Sequence, residues 1–233
     1  RVYSNFPSSN QIDVAKAVAA AESAFPIWSK ESVDSRAHWL HRIANELRKH
    51  KVELSKAESR DQGKPIKAAE YDIERSASFF DFFGQLILSE SNPSFKSPSG
   101  NLDVVRRFPV GACALITPWN FPLSILCWKL APCLAVGNTA VCKPSELTPY
   151  TAFLLSKILH EIGLPAGVVN IIHGSGELCG EELVKHSGIK AVSFTGSSET
   201  GKRIASLAAP RLAKVSLEMG GKNSNIIFSS AFF

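Results

Sequence analysis

Val110-Gly111-Ala112-Cys113-Ala114-Leu115-Ile116, followed at once by Thr117-Pro118-Trp119-Asn120-Phe121-Pro122, is the stretch on which the reading of this chain turns. The first run carries no charge and is short, and the two prolines behind it close it off. It therefore reads as a strand buried on both faces. Four more apolar runs follow, at Thr139–Cys142, Val168–Ile172, Ala191–Phe194 and Val215–Leu217. Segments of helical length separate them: Leu123–Val136, Pro149–Ile162, Glu177–His186 and Glu199–Ala209. Strands that alternate with helices predict an α/β fold, a doubly wound parallel sheet covered on both faces.

Upstream of Val110 the period is helical. Asn10 is placed to cap a helix with Val14, Val18, Ala21 and Phe25 on one face, ending at Pro26. A second helix runs from Asp34 or Ser35, with Leu40, Ile43, Leu47 and Leu54 inward, and stops near Gly63-Lys64-Pro65. A third carries Ile66, Ala69, Ile73, Ala77 and Phe80 in register. Ser89–Asn101, rich in Ser, Pro and Gly, reads as a loop leading into an extended stretch over Leu102–Phe108.

Composition excludes several classes. With 233 residues, 45% of them hydrophobic and 20% charged, the chain is not disordered, collagen-like or a disulfide miniprotein. The net charge of +5 does not mark a nucleic-acid binder, because Lys and Arg alternate with Asp and Glu through Lys30–Arg75 as on solvated helix faces. No apolar run nears the ~18 residues of a membrane span. Arg1-Val2-Tyr3-Ser4 shows neither a signal-peptide core nor an initiator Met. Five cysteines, without a Cys-x-x-Cys, read as reduced and mostly buried, which points to the cytoplasm and away from a metal site.

In a sheet of this kind ligands sit beyond the carboxyl ends of the strands. After the first run, two prolines bracket Asn120, whose amide suits either a helix cap or an oxyanion donor. After the second, Lys143 and Glu146 suit a grip on ribose hydroxyls or an ordinary solvated turn. After the third come Gly174-Ser175-Gly176 and Gly180, a tight turn without the Gly-x-Gly-x-x-Gly fingerprint. After the fourth, Gly196-Ser197 opens a helix where a phosphate could be held, with Gly201 a turn further on. After the fifth comes Glu218-Met219-Gly220-Gly221, a carboxylate at a strand end suited to a general base.

The order of these motifs, from Trp119-Asn120 through Lys143/Glu146, Gly174–Gly180 and Phe194–Gly201 to Glu218-Met219-Gly220-Gly221, resembles the aldehyde dehydrogenase superfamily. The resemblance implies NAD-dependent oxidation of a small-molecule aldehyde to its acid. It assigns Asn120 to the oxyanion hole and Glu218 to activation of the deacylating water. Trp119, Lys143, Glu146, Gly176, Gly180, Gly196, Ser197 and Gly201 fall to the NAD site, and a carboxylate at 146 favours NAD over NADP. Phe121, Ser124 and Trp128 match positions lining the aldehyde tunnel, and Lys129 a lysine beneath the active site. Asp61-Gln62-Gly63-Lys64 and Asp72-Ile73-Glu74-Arg75-Ser76 resemble the branch that oxidises 2-aminomuconic or hydroxymuconic semialdehydes. There Arg75 would hold a substrate carboxylate, its alternative being one more exposed helix charge.

The family's cysteine nucleophile, well downstream of the Glu-x-Gly-Gly motif, has no match among Cys113, Cys127, Cys133, Cys142 and Cys179. The expectation is thus an incomplete chain without the catalytic domain: an NAD-binding domain over residues 1–228, with an oligomerisation strand region about 90–108, then a non-family tail at 229–233. A full-length form would be a homo-oligomer. The competing expectation is a catalytically silent short form that binds nucleotide or another subunit.

Overall fold

The computed structural model describes residues 2–230. The chain opens with α1 (Gln11–Trp28), α2 (Val33–Lys49), α3 (Lys51–Gln62) and α4 (Ile66–Ser89). A short hairpin of β1 (Ser94–Lys96) and β2 (Leu102–Val104) follows. Then strand and helix alternate: β3 (Ala112–Ile116), α5 (Pro122–Ala135), β4 (Thr139–Lys143), α6 (Tyr150–Glu161), β5 (Val169–Ile171), α7 (Glu181–Lys185), β6 (Ile189–Gly196), α8 (Ser198–Ala208) and β7 (Lys214–Met219).

β3 to β7 form one parallel sheet in the order β5-β4-β3-β6-β7. The chain winds outward from β3 to β4 and β5, then returns beside β3 as β6 and moves out the other way to β7. The switch point between β3 and β6 is where such sheets bind ligands. β3 explains why the sheet closes in this way. Cys113 and Leu115 join the core under α2, α4, α5 and α6, whereas Ala112, Ala114 and Ile116 join the core under α1, α7 and α8. Alternate side chains thus feed two cores, so a strand here carries no polar face.

The N-terminal helices depart from expectation in three places. Asn10 does cap α1, its amide oxygen accepting from the N–H groups of Ile12 and Asp13 while Asp13 returns a bond to the Asn10 N–H. But α1 does not end at Pro26; it continues to Trp28, whose buried ring holds the last turn down while Pro26 faces solvent. The buried stripe correspondingly runs Val14, Val18, Ala21, Ala24, Trp28, with Phe25 only half-buried. The second predicted helix is two, α2 and α3, broken at His50, and starts at Val33 behind the Ser32 cap. α3 ends at Gly63, whose φ of 89° is left-handed. α4 buries Ala69, Ile73, Ala77 and Phe80 as read, and leaves Ile66 exposed.

The loop expected over Ser89–Asn101 contains β1, antiparallel to β2, and the turn between them uses Gly100 at φ 87°. The Glu177–His186 helix begins instead as a π-helical turn, Gly176–Gly180, before α7. The sheet is also not covered throughout: the edge strand β7 is mostly exposed and the edge strand β5 half-buried, with no further strand beside either among the described residues. Among the described residues no helix is long and apolar enough to cross a membrane.

Phe80 of α4, fully buried in the core shared with α2 and α5, should be costly to truncate. Phe80→Ala is expected to lower unfolding free energy by about 3–5 kcal/mol, against about 1 kcal/mol for Asn10→Ala. Urea titration of the two variants checks the ranking.

Candidate functional site

Two neighbouring surfaces at the carboxyl ends of the strands carry the candidate residues. The first lies where β4 ends and β6 gives way to α8. Lys143, the last residue of β4, is 3% exposed; its ammonium donates to a Glu146 carboxylate oxygen at 3.0 Å and to the Pro144 carbonyl at 3.1 Å. Burial works to raise the Glu146 carboxyl, but backbone N–H groups, including that of Gly176, and the Lys143 ammonium outweigh it and hold the group below the usual carboxylate range. Glu146, Ser175, Gly176 and Gly180 border a cavity of about 550 Å³, closed on its far side by Glu199, Thr200 and Arg203 of α8.

The glycines divide by what surrounds them. A side chain at Gly176 would point into open space, and one at Gly180 would stand 3.7 Å from Lys143 Cδ. These two keep the cavity mouth open. Gly201 differs: a Cβ there would lie 2.5 Å from Met219 Sδ, so its small size lets α8 pack on β7. Gly196 likewise has the Phe194 ring where a side chain would go. Ser197 caps α8, its hydroxyl accepting from the Thr200 N–H at 3.1 Å, and Ser175 caps the π-helical turn by accepting from Leu178 N–H at 3.2 Å. Ser175, Thr200 and Arg203 were not singled out from sequence; a serine just before Gly176 was the signal for the first, while nothing marked the other two.

The second surface begins beyond β3. Thr117 to Asn120 leave the strand, Trp119 and Asn120 are exposed, and Pro122 starts α5. The residue capping α5 is Phe121, with no side-chain cap bond. Asn120 therefore does not serve the helix as a cap, and among the described residues its amide engages no partner. Ser124 and Trp128 follow on the same face of α5 at intervals of four. From α4, Arg75 donates through Nε to Ser124 Oγ at 3.1 Å, and its guanidinium lies over the rings of Phe121 (5.4 Å) and Phe79 (5.8 Å). Phe79 meets Trp128 edge to face at 4.7 Å. Arg75 is thus no free helix charge: it is half-buried against α5 in an aromatic frame. Phe79, one turn beyond Arg75, went unnoticed in the sequence because it reads equally as core.

Behind Trp128 lies a cavity of about 450 Å³ lined also by Lys129, Ser193 and Glu218. Lys129 is buried and donates to Ser193 Oγ at 2.9 Å. Burial pushes its ammonium down to about 8, with the Glu218 carboxylate pulling the other way. Glu218 is exposed near the end of β7, and Gly220 and Gly221 beyond it have open space around them.

None of the five cysteines is a ready nucleophile. All are buried and unpaired. Burial raises Cys127 and Cys142 strongly and Cys179 to about 11. The thiol of Cys113 is lowered by a hydrogen bond from Cys133, but it stands near the amino end of β3, away from Asn120. Among the described residues no group of three or more His, Cys, Asp or Glu could hold a metal ion.

A doubly wound sheet with an acid–lysine pair at one strand end and an unengaged asparagine amide at the next defines the class. The chain belongs to the aldehyde dehydrogenase family, whose model matches residues 1–232. It is 46% identical over 232 residues to the 2-aminomuconic semialdehyde dehydrogenase of Bos taurus, covering 99% of this chain and 48% of that one. It is 38% identical over 231 residues to the 5-carboxymethyl-2-hydroxymuconate semialdehyde dehydrogenase of Escherichia coli, covering 99% and 49%. Among solved structures, a betaine aldehyde dehydrogenase of Staphylococcus aureus in complex with NAD+ superposes with a TM-score of 0.93 at 35% identity, over 99% of this chain and 47% of that one. The chain spans about half the length of the curated relatives it matches.

Lys129 gives a pH test. Its folded value lies below that of a free lysine, so charging it costs stability in full below about pH 8, a cost that vanishes as pH rises towards 10.5. Relative to wild type, Lys129→Met is expected to shift the urea midpoint upward more at pH 7 than at pH 10. Equal shifts at both pH values would show that Lys129 is charged in the folded state throughout.

Proposed function

We propose that this chain is the cofactor-binding half of an NAD-dependent aldehyde dehydrogenase, acting in the whole protein on semialdehydes that carry a carboxylate. The observation that carries the reading is the Lys143–Glu146 pair at 3.0 Å beside the open mouth at Gly176 and Gly180. NAD fits this set. Glu146 offers acceptors and Lys143 a donor to the two hydroxyls of a ribose, and the bare backbone at Gly176 lets the nucleotide approach without a clash. A 2′-phosphate would meet the Glu146 carboxylate, so NAD is preferred to NADP. Ser197, exposed at the start of α8, is placed for the pyrophosphate, where helix N–H groups favour negative charge.

When bound, NAD supplies the acceptor for the hydride of the reacting carbon. The chain's own residues do the rest. Asn120 donates an amide N–H to the aldehyde oxygen as charge develops there, without itself titrating. Glu218 accepts a proton from the water that releases the acid, and Gly220-Gly221 gives it room to turn. Phe121, Ser124 and Trp128 line the approach, and Arg75, held by Ser124 and the two rings, meets the substrate carboxylate with a planar fork. The thiolate that adds to the carbonyl is not among the five cysteines of these residues. A polypeptide of residues 1–233 alone is therefore expected to bind NAD without turning it over.

The exposed apolar side chains of Phe95, Leu102 and Val104 on the β1–β2 hairpin support self-association of the whole protein. Five unpaired cysteines support a reducing compartment such as the cytoplasm.

Calorimetry of the chain is expected to give similar affinities for NAD and ADP, with Lys143→Met weakening both about tenfold, the worth of one charge-assisted contact. No binding to a folded chain would overturn the cofactor assignment. For the substrate, Arg75→Ala in the whole protein should lower kcat/KM for a carboxylate-bearing semialdehyde about ten- to a hundredfold, and much less for hexanal. Equal losses would mean that Arg75 only supports the fold.

A further inference from the structure

Lys64 follows the left-handed Gly63 that ends α3 and closes the Asp61-Gln62-Gly63-Lys64 stretch, but its sequence position assigns it no role of its own. In the fold its side chain is 9% exposed and lies between two buried carboxylates. Its ammonium lies 2.6 Å from an Asp72 oxygen and 3.3 Å from a Glu58 oxygen, and 3.3 Å from the backbone carbonyl of Asn120. An ammonium has three N–H donors, and here each has one acceptor. The same nitrogen stands 4.6 Å from the centre of the Phe121 ring. Two of its contacts therefore fall on helices α3 and α4, and two on the Asn120-Phe121 dipeptide.

Within that dipeptide Phe121 also meets the Arg75 guanidinium, whereas among the described residues Asn120 is held through its carbonyl alone. The first bond of α5 at this point runs from Ile125 N–H to the Phe121 carbonyl, leaving the Asn120 carbonyl to Lys64. Burial raises the Glu58 carboxyl and Lys64 draws it back, so the lysine also makes the buried acids tolerable. We propose that Lys64 is a positioning residue for the oxyanion donor: it pins the Asn120 carbonyl and the Phe121 ring to the helical layer, so that the Asn120 amide is aimed before substrate arrives. The inference rests on the reading of Asn120 as that donor. A donor off its place by an ångström loses much of its effect, which makes such an anchor consequential for rate.

Removing Lys64 alone would leave two buried carboxylates unpaired, so the test uses Glu58→Gln/Lys64→Met/Asp72→Asn together. Where that variant does not fold by circular dichroism, Lys64→Met/Asp72→Asn, which keeps the cluster's net charge, replaces it. In the ¹⁵N-labelled chain, backbone order parameters at Asn120 and Phe121 should fall below about 0.6, with β3 staying near about 0.85. Unchanged order at Asn120 would overturn the proposal. In the whole protein, kcat should fall about tenfold with KM for NAD unchanged. In an Asn120→Ala background the same substitutions should cost nothing further. An equal loss in both backgrounds would refute Lys64 as acting through Asn120. If Asn120→Ala alone left kcat intact, it would be the oxyanion reading that failed.

Discussion

Burial of β3 on both faces is the constraint on which the rest of this structure depends. One strand of five residues supplies Cys113 and Leu115 to one core and Ala112, Ala114 and Ile116 to the other. No polar side chain fits anywhere along it, so the first residues free to do chemistry are those that leave its carboxyl end. Two cavities open there on opposite faces of the same strand, one reaching Ile116 and the other Cys113 and Leu115. A single packing requirement thus underlies both parts of the proposed site.

The two surfaces use different physics. On the side proposed for the nucleotide, Lys143 is buried and held to Glu146, and selectivity would come from what is small or negative: bare backbone at Gly176, a carboxylate at Glu146. On the side proposed for the aldehyde the groups are held. Arg75 is fastened by Ser124 and two rings, and Lys64 by two carboxylates. Both cations reach across from the helical layer of the first ninety residues to the Phe121 ring. That layer is accordingly more than a cover for the sheet; it shapes the entrance to the site.

Much of this was legible from residues. Runs such as Val110–Ile116 expose strands directly, because double-sided burial forbids charge, and the Asn10 cap is local chemistry. What was not legible depended on contacts distant in sequence. Pro26 was read as a stop, yet the burial of Trp28 carries α1 through it. His50 breaks a helix whose apolar period runs on without interruption. Gly201 reads as room for a nucleotide, and only the fold places Met219 against it. The roles of Lys64 and Phe79 have no local mark, since their partners lie on α3, α4 and the start and face of α5 together. The alternative for Asn120 as a helix cap was settled by geometry, for α5 starts one residue later without it.

The central claim is that these strand ends form a nucleotide site of which Lys143 and Glu146 are the grip. Titration of AMP into the ¹⁵N-labelled chain, followed residue by residue, tests it most directly. The account predicts shifts at Glu146, Gly176 to Gly180 and Ser197 to Thr200, with the amides of α2 and α3 unmoved. Saturable shifts elsewhere on the chain, or none at the Gly176 turn at millimolar AMP, would contradict it.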